Sequence, residues 1–204
     1  MKKNKISKNW IYKHKRDIYV RKSKVEGYRS RAIYKLQEIN NKFKILKNGF
    51  SIIDLGAAPG SWSQFVTKNF KNIKILSIDL QDMDKIDNVM QIKGDFTDKR
   101  FQDKIKTYFE NNKVDVVMSD MAVNTTGNKN LDSIVTGELC IESIKFSKNA
   151  LKKNGQFVSK LFMGSTFNEI VKYTREVFKE VNIFKPPASK KDSKENFIIC
   201  KKLR

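Results

Sequence analysis

FSIIDLGAAPGSWS, residues 50–63, decides how the chain reads. A short apolar run ends in Asp54-Leu55-Gly56, and a helical pattern begins at Ser61. A strand that passes through a tight turn into a helix is the unit of a parallel sheet, and ligands in such sheets bind at the carboxyl ends of the strands. Small residues in the turn let a ligand approach the backbone. Gly56 and Gly60 also permit conformations that a side chain would forbid. The helix start supplies free N–H groups suited to a carboxylate. The dinucleotide fingerprint G-x-G-x-x-G is absent, because Ala58 stands where the second glycine would be, which argues against a pyrophosphate cradle.

Working outward, the same alternation continues. Ile33, Leu36, Ile39 and Phe43 recur at helical spacing within 28–47. KILSIDL (74–80), VMQIKGDF (89–96) and VDVVMSD (114–120) read as strands, with helices expected over 61–70 and 98–111. A long helix is expected over 131–153, closed by Asn154-Gly155 as a C-cap. GQFVSKLF (155–162) reads as a strand and 166–180 as a helix. Residues 181–185 and 196–201 read as a closing pair of strands around Pro186-Pro187. Near-continuous apolar strands alternating with helices indicate an α/β fold, a doubly wound, mostly parallel sheet with helices on both faces. The 204 residues show no repeat or linker that would split them, so one domain is expected.

Three acids fall at strand ends, Asp79, Asp95 and Asp120. Asp79 could accept both hydroxyls of a ribose, and Asp95 the amino group of an adenine. The set suits an adenosyl cofactor with an amino-acid tail. The net charge of +20 attracts a polyanion. Part of that excess is a general preference for lysine, but residues 1–35 are rich in Lys and Arg with only Asp17 and Glu26 against them. A basic arm over about 1–27, with Trp10, Tyr12, Tyr19 and Tyr28 interleaved, suits phosphate contact and base stacking, together with Arg29 and Arg31. A solvated arm that packs a few aromatics is the plainer alternative. Two separated cysteines, Cys140 and Cys200, and a single histidine, His14, give no zinc pattern, so no metal is expected. No apolar run approaches the roughly 20 residues of a membrane span, and MKKNKISKNW lacks the apolar core of a secretory signal.

RSRAIYKLQEI (29–39), DLGAAPGSWSQFV (54–66), GDF (94–96), VMSDMAVNTTG (117–127), GQFVSKLF (155–162) and SKENFIIC (193–200) together resemble the FtsJ/RrmJ family of ribose 2′-O-methyltransferases. The resemblance runs from Trp10 to about Lys201. It implies a seven-stranded, Rossmann-like methyltransferase fold that uses S-adenosylmethionine, held at Gly60, Trp62, Asp79, Asp95 and Asp120. Gly56, Ser61, Leu80 and Phe96 complete the expected cofactor set. It also implies a catalytic tetrad at Lys35, Asp120, Lys160 and Glu195. MAVNTTG is closer to the ribosomal-RNA branch than to the tRNA branch, although Val123 replaces that branch's proline. The implied substrate is large-subunit ribosomal RNA within a ribosomal particle. A monomer acting in the cytoplasm is expected, with an organelle that has its own ribosomes as the alternative. A tRNA ribose methyltransferase and a non-catalytic RNA-binding protein on the same scaffold are the rival readings.

Taken alone, the tetrad positions differ in what they say. Lys160 lies between apolar neighbours in a core strand, where an unpaired lysine is expensive. Asp120 closes an apolar strand. Lys35 could be the polar face of a helix, Glu195 a solvated member of KKDSKEN, and Trp62 ordinary core. A ribose hydroxyl is a poor nucleophile at neutral pH, whereas a methyl sulfonium is already activated. The enzyme must therefore align oxygen, carbon and sulfur and manage charge on the oxygen. Lys160 is expected to remove or steer the proton with Asp120 orienting it, while Lys35 and Glu195 complete a charge-paired network. Asp120 and Glu195 would favour the charged amine; Lys35 and the sulfonium would oppose it.

Overall fold

The computed structural model describes residues 17–121 and 129–204, the side chains of 129 and 130 excepted. The elements, in chain order, are α1 (Ile18–Val25), α2 (Ile33–Phe43), β1 (Ser51–Leu55), α3 (Ser61–Asn69), β2 (Lys74–Asp79), β3 (Val89–Lys93), α4 (Lys99–Tyr108), β4 (Val114–Ser119), α5 (Lys129–Ala150), β5 (Leu151–Phe162), α6 (Phe167–Val177), β6 (Phe178–Phe184) and β7 (Glu195–Leu203). They build one seven-stranded sheet in the order β3-β2-β1-β4-β5-β7-β6. The first five are parallel; β7 runs antiparallel to both β5 and β6.

Alternation along the strands divides the core into two layers, because successive side chains point to opposite faces. Ile52, Val116, Met118, Val158, Phe197 and Ile199 face α2 and α3, where Ile33, Leu36, Ile39, Phe65 and Val66 cover them. Ile53, Leu55, Val117, Phe157, Leu161 and Cys200 face the opposite layer, packed under Ile105, Ile144 and Ile170 of α4, α5 and α6. Both cysteines are buried free thiols, and burial pushes Cys140 up to about 12. Among the described residues, no helix is long and apolar enough to cross a membrane.

Three local expectations are corrected. Asn154-Gly155 does not cap α5, which ends at Ala150; both residues belong to β5. Leu151 pairs with Val114 but Gln156 pairs with Val116, so the strand carries extra residues in a bulge. A Cβ on Gly155 would lie 2.8 Å from the Lys152 carbonyl oxygen, which is the close approach this glycine permits. Second, α6 stops at Val177 instead of 180, because Phe178 pairs with Leu203 and its buried ring stacks on Phe157 at 5.8 Å. Third, the arm is not free from residue 17 onward. Asp17 caps α1 through the Tyr19 N–H and pairs with Arg31, and Val20 is buried. Tyr19 packs on Tyr34 at 5.2 Å and Tyr28 lies under the Lys68 ammonium. Residues 1–16, including Trp10, Tyr12 and His14, lie outside the described residues, as does Val123 with most of MAVNTTG.

Candidate active site

Strand register does most of the assembly at the carboxyl edge of the sheet. Ser119 pairs with Ser159, so the residues that follow, Asp120 and Lys160, emerge side by side. Glu195 opens β7 opposite Phe162, two residues from Lys160 and on the same face by the period-two rule. That face is the one covered by α2, which delivers Lys35 from its first turn. All four expected tetrad residues therefore converge.

The contacts form a closed charge network. Lys160 Nζ donates to Asp120 Oδ1 and to the Asp120 carbonyl, each at 2.7 Å, and lies 3.9 Å from Glu195 Oε2. Lys35 Nζ donates to Glu195 Oε2 at 2.8 Å and to Asp120 Oδ2 at 3.3 Å. Glu195 Oε1 accepts from Ser189 Oγ at 2.7 Å. Lys160 is only 7% exposed and Glu195 8%, which rules out a snorkelling lysine and a solvated glutamate. Burial opposes the charge on Lys35, but Asp120 and Glu195 outweigh it and hold the ammonium above the ordinary lysine value. Burial likewise works against ionised Asp120, and Lys160 and then Lys35 reverse it, leaving the carboxyl below the usual range.

Beside this network lies a small open cleft, lined among others by Ser30, Asp54, Gly56, Ser61, Trp62 and Asp120. Gly56 and Gly60 both have positive φ, 67° and 98°. A Cβ on Gly60 would come within 2.5 Å of Ile86 and 3.0 Å of the Arg29 guanidinium, so packing as well as backbone conformation requires glycine there. Trp62 is core and cleft wall at once; its indole N–H donates to the Ala32 carbonyl at 2.9 Å. Asp79 holds the turn, accepting from the Ala58 and Gln81 N–H groups. Asp79, Leu80, Asp95 and Phe96 lie outside the cleft lining, along the ends of β2 and β3. Leu80 is 68% exposed, Asp95 is exposed and accepts from Thr97, and Phe96 is buried against Phe146. Phe96 therefore has its backbone, not its ring, to offer.

Arg29 and Arg31 are committed within the protein and do not present free guanidinium groups to RNA. Arg29 donates to the carbonyls of Pro59, Asp84 and Lys85, tying the turn before α3 to the loop between β2 and β3. Arg31 binds Asp17 and the Ala188 carbonyl.

A further titratable group of the cleft, which no sequence motif singles out, is Asp54. It is buried beside Ser63, whose hydroxyl donates to it at 2.6 Å and also contacts Ser77. Burial pushes its carboxyl up to about 7, with the Asp120 and Asp79 charges adding to the rise and the Ser63 hydrogen bonds opposing it. A carboxyl that binds its proton more tightly when folded contributes stability that is complete below the unfolded value of about 3.9 and lost as pH rises toward 7. The cofactor-free protein should therefore lose up to a few kcal/mol through this residue between about pH 4 and pH 7. Asp54→Asn should flatten that part of the curve and unfold at higher denaturant than the parent at pH 8. Parallel urea titrations across pH check this; identical slopes for the two proteins would refute it.

Fold and site together define a class: a Rossmann-like methyltransferase with a buried Lys-Asp-Lys-Glu network. The FtsJ-like methyltransferase family model matches residues 28–203, and the chain belongs to that family. It is 63% identical over 204 residues, the whole of both chains, to the ribosomal RNA large subunit methyltransferase E of Pelagibacter ubique (strain HTCC1062). It is 41% identical over 201 residues, 98% of each chain, to the protein of that name from Francisella tularensis subsp. novicida (strain U112). Among solved structures, a ribosomal RNA methyltransferase from Plasmodium falciparum superposes with a TM-score of 0.77 at 34% identity, covering 86% of this chain and 98% of that one.

Proposed function

We propose that the chain moves the methyl group of S-adenosylmethionine to the 2′-hydroxyl of a ribose in large-subunit ribosomal RNA. The observation that carries this reading is the closed network of Lys35, Asp120, Lys160 and Glu195 beside a glycine-walled cleft. The names of the relatives at 63% and 41% identity support the RNA class.

The cleft fits the cofactor chemically. Asp120 offers negative charge to a sulfonium and an α-ammonium, and the α3 N-terminus offers N–H groups to the α-carboxylate. Asp79, Asp95, exposed Leu80 and the Phe96 backbone line the route an adenosine would take. S-adenosylmethionine supplies an activated methyl carbon. The chain supplies alignment and proton handling. Lys160, held by both the carboxylate and the carbonyl of Asp120, would engage the acceptor hydroxyl; with its lone pair free it would take up the proton that this oxygen gives up on methylation, ending as an ammonium paired with Asp120. Lys35 and Glu195 keep the amine and the ribose in register. The place of action is the cytoplasm, where large ribosomal subunits assemble, and one chain suffices because every tetrad member comes from it.

Incubation with labelled S-adenosylmethionine and separated RNA pools tests the substrate. Label should enter large-subunit RNA when it is supplied within ribosomal particles. Label in tRNA alone would transfer the reading to the tRNA branch, and no label anywhere, with cofactor bound, would favour a non-catalytic RNA-binding protein.

A further inference from the structure

Two clefts meet at the tetrad, and the methyl donor accounts for one. The second, of about 190 Å³, is lined among others by Ser30, Arg31, Lys35, Lys190, Ser193 and Glu195. It shares Ser30 and Ala32 with the donor cleft, so the segment leading into α2 is the wall between them.

We propose that this second cleft seats the phosphodiester on the 3′ side of the target ribose, with Lys190 as its cation and Ser193 as a hydroxyl contact. The proposal rests on the ribose-methylation reading. In RNA the 3′-phosphodiester hangs from the carbon next to the one that bears the 2′-hydroxyl. Any site that reaches the hydroxyl must therefore accept an anion immediately beside it. Among the cations of this cleft, Arg31 is neutralised by Asp17 and Lys35 by Asp120 and Glu195. Lys190 is exposed, lines the cleft and has no carboxylate partner among the described residues. It is the cation left for an outside anion.

The loop that presents Lys190 is held in place before any ligand arrives. Lys185 Nζ donates to the carbonyls of Lys191 and Ser193, at 3.1 and 2.6 Å. The Ala188 N–H donates to Glu38 at 2.8 Å, and Ser189 and Ser193 each bond to Glu195. The loop is thus tied to the tetrad itself, so Lys190 is a binding residue held at a fixed place beside it, and phosphate capture there contributes to RNA affinity. Preorganised contacts of this kind lower the ordering cost of binding.

The test uses the full chain, large-subunit RNA and three substitutions, Lys190→Ala, Lys190→Glu and Lys190→Arg. Expected results are a rise in KM for RNA of roughly tenfold for alanine and more for glutamate, and a salt dependence of RNA binding shallower by about one phosphate contact. Turnover at saturating RNA and the Kd for S-adenosylmethionine should be unchanged, and arginine should restore KM. Lys179→Ala, at the far end of β6, is the charge-matched control and should change KM little. Unchanged KM and salt slope in a wild-type background that methylates RNA would overturn the subsite and leave the ribose reading intact. So would a loss confined to kcat. Failure of the wild-type protein to methylate any RNA would overturn both.

Discussion

Lys160→Ala should abolish most methyl transfer, by about 10²- to 10⁴-fold, the range that positioned proton-handling groups contribute, while leaving the Kd for S-adenosylmethionine within about threefold. The split follows from where Lys160 points. Its amine contacts Asp120 and approaches Glu195, yet it is absent from the donor-cleft lining. Asp120 keeps its second cation, Lys35, at 3.3 Å, so the carboxylate is not left as an unpaired buried charge. Thermal unfolding checks that the variant is folded, and calorimetric titration with S-adenosylmethionine separates binding from turnover. Near-normal turnover with cofactor bound would remove Lys160 from the mechanism.

Asp120→Asn should do more damage, because Asp120 serves three masters: Lys35, Lys160 and the donor cleft. Loss of its charge leaves Lys35 and Lys160 with Glu195 as their remaining carboxylate, and Lys160 is 3.9 Å from it. Breaking one partner from a buried ionic network costs on the order of 3–5 kcal/mol. Cofactor affinity should also fall by roughly tenfold or more, since the cleft loses a negative charge. Transfer should fall at least as far as in Lys160→Ala. The double variant should be far from additive, as expected of groups that act as a unit. Denaturant titration, cofactor titration and single-turnover kinetics on the four proteins test the scheme. Additive losses would mean that the two residues act independently.

Much of this was legible in the sequence, for definite reasons. The parallel strands are buried on both faces and so read as continuous apolar runs, as in Val116-Val117-Met118. Gly56 and Gly60 mark a turn that only glycine satisfies. Lys160 between apolar neighbours announced a partner. Other features were hidden because they depend on pairing across the chain. The bulge at Asn154-Gly155 mimics a helix stop, and only the Val114–Leu151 register reveals it. The KKDSKEN run looks solvated, yet Ser189 and Lys35 draw Glu195 inward. Arg29 and Arg31 look like RNA contacts until Pro59, Asp84, Lys85, Asp17 and Ala188 are seen to bind them. Asp54 ends an apolar strand as Asp79 and Asp120 do, but its burial and its bond to Ser63 emerge only once α3 is laid over the sheet.

The most direct measurement is nucleoside analysis of the methylated RNA. Large ribosomal subunits that lack the modification are treated with the protein and labelled S-adenosylmethionine, digested to nucleosides and resolved by mass. All label should appear in a single 2′-O-methylated nucleoside, and none should appear with Lys160→Ala. Label on a base, or label undiminished in that variant, would contradict a ribose hydroxyl activated by this network.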